Sequence, residues 1–213
     1  MLLVALAAAL ACEPSLMSRF ASPVGGPSVP TITTMTAEHA GAAYVGAQLA
    51  MTSTSPVTAW TRVLLHPELQ DEWHPEEVGT EQAERIEGTD FYQRTGISVL
   101  GFTIRRQLIA RVHWITSTSD RLHSCWSAGD PAAFASRVAA WEDGSPWQEH
   151  GYGGWTIVSR PGGGSVVDYQ VWVASRGIPS PLVSWGVKRT LPALLGGFEA
   201  RVADLEAKAL AGL

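Results

Sequence analysis

The residues able to do chemistry are few and scattered. His66 and His74 stand eight apart around Pro67, a spacing that fits no zinc pattern, so solvated or backbone-bonded loop histidines are expected. His113 and His123 alternate onto the outward faces of strand-like runs, where a ligand role is not expected. Ser124 and Ser184 have no His–Asp signature nearby, although a triad assembles in space rather than in sequence. Gly162-Gly163-Gly164 joins two strand-like runs and reads as a hairpin, not as a phosphate-cradling loop. No catalytic residue, metal ligand or cofactor is expected. Arg106 is different, being the one charge on the apolar face of the longest strand-like run. Two roles suit it: pairing with an inward carboxylate such as Glu84, the usual state of a buried arginine, or gripping a ligand's polar head at the base of an apolar cavity.

The run that carries Arg106 covers residues 104–116. Ile104, Arg106, Leu108, Ala110, Val112 and Trp114 share one face, expected to point inward, and Arg105, Gln107, Ile109, Arg111, His113 and Ile115 share the other. The same alternation places strands at about residues 43–51, 78–87, 91–95, 122–126, 155–159 and 166–174. Ser55-Pro56 opens a short helix through Trp60, Val63 and Leu64, and a second helical turn carries Leu69 to Trp73. Asp130 is placed to cap a helix beginning at Pro131, with Phe134, Val138 and Trp141 on one face.

After Gly177-Ile178-Pro179-Ser180-Pro181 comes a long helix. Leu191, Leu195, Phe198, Val202, Leu205 and Ala209 recur at spacings of four and three and mark its buried stripe. Pro192 is expected to kink or interrupt it, and Gly186, Gly196 and Gly197 each lower its propensity by roughly 1 kcal/mol. Packing must hold it, at roughly 1.5–3 kcal/mol gross for each large side chain buried. One strand, two short helices, about six further antiparallel strands and a long helix make an α+β architecture.

The chain of 213 residues suits one well-filled domain, expected over residues 37–213. Its net charge of −5, with no basic run, argues against a nucleic-acid partner. Residues 13–36, rich in Pro, Ser, Gly and Thr, read as a flexible tether. Residues 1–12 are apolar up to Cys12 and resemble a bacterial lipoprotein signal, which implies lipidation at Cys12, export to the periplasm and membrane attachment through the N-terminus; a cytoplasmic chain is the alternative. Cys125 reads as a buried free thiol.

Several short motifs resemble START-type lipid-transfer domains. Glu72-Trp73-His74-Pro75 is similar to a turn of that family, residues 154–157 and 166–171 to its last two strands, and residues 177–183 to the start of its final helix. The likeness spans residues 39–209 and implies a helix-grip fold, shared with polyketide cyclases and birch-pollen-allergen-like proteins. In that fold a curved antiparallel sheet of about six to seven strands wraps a long C-terminal helix, with two short helices after the first strand. It implies a monomer that carries or senses a hydrophobic small molecule or lipid between sheet and helix. The residues expected to line that space are Trp73, Arg106, Leu108, Val112, Trp114, Trp126, Trp155, Tyr169, Val171, Trp185 and Leu195. A cyclase- or hydratase-like enzyme on the same fold, with Arg106 beside an inner-face Tyr or His, is the alternative, as is an envelope scaffold that takes another protein's apolar segment.

Overall fold

The structure is a computed structural model that describes residues 14–20, 26–27, 29–72, 78–99, 102–174 and 177–210. Its strands are β1 (Thr31–His39), β2 (Ala42–Ser53), β3 (Val78–Glu87), β4 (Asp90–Val99), β5 (Phe102–Ser117), β6 (Arg121–Ala128), β7 (Gly151–Ser159) and β8 (Ser165–Ala174). The helices are α1 (Pro14–Met17), α2 (Val57–Leu64), α3 (Ala135–Val138) and α4 (Ser180–Leu210), with 3-10 turns at Pro67–Glu72 and Pro131–Phe134. The eight strands form one curved antiparallel sheet in the order β1-β2-β8-β7-β6-β5-β4-β3, and α4 lies along its inner face. This is the helix-grip arrangement.

Local chemistry sets the joints. Ala40 and Gly41 both take positive φ, +48° and +75°, in the two-residue turn of the β1–β2 hairpin, as a primed turn demands. Gly162, Gly163 and Gly164, all at positive φ, turn β7 into β8 as expected. Asp130 caps the turn after β6, its carboxylate accepting from the Ala132 N–H at 2.9 Å.

Period-two alternation divides the sheet into two faces. Inward, Ala47, Leu49 and Met51 of β2, Leu122 of β6, Trp155 and Ile157 of β7, and Val167 and Tyr169 of β8 meet α2 and the α4 stripe Leu191, Leu195, Phe198 and Val202. The stripe fades further on, where Leu205 is half-buried and Ala209 exposed. The Ser55 hydroxyl donates to Glu206 and fastens this end of α4 to the loop before α2. On the outer face of β4 and β5, Phe134, Val138, Trp141 and Trp147 pack on Tyr92 and Ile109, so the segment between β6 and β7 covers the back of the sheet.

Three expectations need correction. Residues 13–36 are not a tether throughout: α1 lies there, and β1 begins at Thr31, which raises the strand count to eight. Threonine is a strong strand former whatever the surrounding composition suggests. The helix α4 runs unbroken through Pro192 for 31 residues. A proline there removes one backbone donor, and burial of Leu191 and Leu195 beside it offsets the loss. Cys125 is disulfide-bonded, not a free thiol.

Candidate ligand-binding site

The helix α4 does not fill the concave face evenly. Around Trp155 the contact is close: its ring lies 4.3 Å from Tyr169, 4.9 Å from Phe198 and 6.2 Å from Trp60, centroid to centroid. Beyond this plug, between the first half of α4 and the inner faces of β4–β8, lies a cavity of about 310 Å³. That is at the lower end of the roughly 300–1,000 Å³ found for small-molecule sites.

Strand alternation supplies the floor. Ile104, Arg106, Leu108, Ala110, Val112 and Trp114 of β5 all line it, as expected from their shared parity, together with Trp126, Trp155, Tyr169 and Val171. Gly153 sits opposite Trp126, and a Cβ there would fall 2.4 Å from its indole nitrogen, so the missing side chain leaves the indole room to lie against β7. Trp126 is also hydrogen-bonded to the Tyr169 side chain, while burial pushes that phenol up to about 12. Such a phenol is a weak acid at neutral pH, and no histidine, aspartate or glutamate lines the cavity among the described residues.

Arg106 is the cavity's only charged lining residue among those described. The expected pairing with Glu84 is not made. The Arg106 guanidinium donates to the Arg105 carbonyl at 3.0 Å, and among the described residues it has no carboxylate partner. The acids nearby are engaged elsewhere on the strands, Glu81 with Arg94 and Arg105 and Asp90 with Arg111. Arg106 lies at the cavity's edge, beside Gln148, whose amide donates to the His150 carbonyl at 2.6 Å. Another polar corner is built by Gln70 and Gln93, the Gln93 amide donating to Gln70 at 2.9 Å.

Two expected lining residues lie elsewhere. Trp185 is 40% exposed, with the Arg189 guanidinium 5.6 Å from its ring. It stands two residues from both Val183 and Val187, which do line the cavity, so it projects from the opposite side of the helix, about 200° away. Leu195 is 1% exposed and belongs to the packed core beyond the cavity. The roof is instead Leu182, Val183, Gly186, Val187, Thr190, Leu191 and Leu194. Their signal was present in the sequence, because stepping back from Leu191 by four gives Val187 and then Val183. Trp73 and the turn at His74-Pro75 lie outside the described residues, as does Cys12.

Among the described residues no histidine lines the cavity, whereas Ser124, on the inward face of β6, does. His66 meets Glu68 at 3.1 Å, His123 meets the Thr156 hydroxyl at 2.9 Å on the outer face, and Ser184 donates to the Thr34 hydroxyl at 3.3 Å. Burial lowers the pKa of both His113 and His123, favouring their neutral forms.

The fold is that of START-type lipid-transfer domains. Human StAR-related lipid transfer protein 5 superposes with a TM-score of 0.61 at 11% identity, over 96% of this chain and 98% of that one. Human STARD10 gives 0.59 at 13% identity, over 93% and 82%. The STAR-related lipid transfer protein from Xanthomonas axonopodis gives 0.56 at 16% identity, over 80% and 98%. No protein-family model matches the chain, and no curated protein matches it by sequence. The likeness is one of fold.

Proposed function

We propose that this protein binds a hydrophobic small molecule, a lipid with a compact apolar part and a polar or anionic head, and acts as its carrier or sensor. One observation carries the reading: a cavity of about 310 Å³, walled mainly by aliphatic and aromatic side chains, has at its edge a guanidinium that meets no carboxylate among the described residues. Apolar walls reward removal of a hydrocarbon chain from water at roughly 25 cal/mol per Å² buried. A cation at the rim gives that chain a direction, because a carboxylate or phosphate placed there forms a charge-assisted hydrogen bond. The names of the structural neighbours, two lipid transfer proteins among them, agree with this assignment.

The test uses the full chain, stripped of bound lipid, and two probes that share a hydrocarbon chain and differ in the head: dodecanoate and dodecanol. Calorimetric titration is expected to show both binding, the carboxylate more tightly, with the preference lost in Arg106→Leu. If neither probe binds, the cavity is not a ligand site. If Arg106→Leu keeps the preference, the arginine is not the head-group contact.

A further inference from the structure

The back of the sheet is covered by the start of the chain. On the outer face, alternation presents Tyr44 of β2, Trp172 and Ala174 of β8 and Tyr152 of β7, a set of aromatic rings that would otherwise meet water. Leu16 and Phe20 pack onto them, 0% and 5% exposed, and the Phe20 ring lies 5.1 Å from that of Trp172. Gly26 lies against the same face further along β2 and β8, where an added Cβ would come within 2.9 Å of Thr52 and Val166. Helix α1 passes over β6 and β7: a Cβ on Gly154 would lie 3.1 Å from the Met17 methyl and 3.4 Å from the Cys125 Cα.

Cys125 belongs to this outer face. It is in register with His113 and Gly154, one step from the inward Ser124 and Trp126. It is 1% exposed and disulfide-bonded. Burial that complete leaves no room for a second protein molecule at the sulfur, and the chain has two cysteines. Cys12 is two residues before Pro14, within about 7 Å of extended backbone from where α1 begins.

We infer that Cys12 and Cys125 form an intrachain disulfide that fastens the N-terminal segment across the back of the sheet. The segment is thus a structural strap of the ligand-binding domain rather than a tether. Forming the bond removes one hydrogen from each thiol, joins the two sulfurs, and passes two electrons and two protons to a disulfide oxidant that leaves as two thiols. The chain therefore matures in an oxidising compartment. A Cys12 sulfur carrying a lipid has no valence left for this bond, so crosslink and lipid anchor exclude each other.

The experiment is peptide mapping by mass spectrometry of the full chain, secreted into an oxidising compartment and digested without reductant after iodoacetamide treatment in denaturant. The expected product is one peptide pair joining Cys12 to Cys125, which separates on reduction with each half gaining a hydrogen. The expected companion is Cys12→Ser, in which the melting temperature falls by roughly 10 °C and amide exchange rises across residues 14–20. Alkylated Cys125, an acylated Cys12, a mature chain that begins after Cys12, or a disulfide between two chains would each overturn the inference. None of these outcomes bears on whether the cavity on the opposite face binds lipid.

Discussion

Trp155 of β7 meets Phe198 of α4 edge-on, their ring centroids 4.9 Å apart, and there the helix rests on the sheet. On one side of that contact the ring of Trp60 and the side chains of Leu195 and Val202 close the interior; on the other the two layers part and leave the cavity. Trp155 is thus both the end wall of the site and a support of the helix.

Removing that support is expected to be costly. Phe198→Ala should destabilise the fold by about 3–5 kcal/mol, measured by urea unfolding, because a buried aromatic side chain leaves a cavity that its neighbours refill only in part. Trp185→Ala is the contrasting case. With its ring 40% exposed, it should change stability by no more than about 0.5 kcal/mol.

Arg106→Leu separates a structural arginine from a ligand contact. A buried ion pair broken on one side costs about 3–5 kcal/mol. With no carboxylate partner among the described residues, this substitution should cost under about 1 kcal/mol in unfolding. Affinity for dodecanoate should fall about tenfold or more, in keeping with loss of a charge-assisted bond of about 1.5–3 kcal/mol.

Much of this architecture was legible from alternation alone. The six inward residues of β5 were placed correctly because a strand of period two has no freedom once one face is buried. The helix was harder. Its apolar stripe reads clearly only from Leu191 onward, which points to Leu195 in the closed half and passes over the roof residues Val183 and Val187. The strand β1 was hidden in a stretch whose threonines resemble linker composition, and its evidence is the pairing with β2. The Cys125 bond and the packing of Leu16 and Phe20 on the outer face are tertiary facts that no local pattern encodes.

The glycine of β7 facing Trp126 should resist substitution. Gly153→Ala places a methyl 2.4 Å from the indole nitrogen, so the ring must move and its hydrogen bond with Tyr169 must break. Overpacking of this kind costs about 1–3 kcal/mol. The displaced ring should also shift tryptophan emission and weaken dodecanoate binding.

Asp168 gives a pH dependence with a definite sign. On the outer face it accepts from the amides of Gln48 at 2.8 Å and Gln170 at 3.2 Å, yet burial outweighs both and raises its pKa above the ordinary carboxylate range. Between the unfolded and the raised folded value the native chain holds the proton more tightly, so stability falls as pH rises through that window. Asp168→Asn removes this term. Unfolding free energies from about pH 4 to pH 7 should show the variant gaining on the parent as pH rises. The Gln170 side-chain oxygen, buried without a partner among the described residues, can turn to meet the new amide.

The central claim is that the space between α4 and the sheet is filled by a ligand rather than by protein. Native mass spectrometry of the full-length chain, purified without detergent beside Val171→Trp, which fills the cavity, tests it most directly. The parent is expected to carry a small-molecule adduct that is released on collisional activation, and the variant to fly bare at the same charge states. A parent that emerges empty and takes up no lipid from a panel, or a variant that keeps the same adduct, would contradict it.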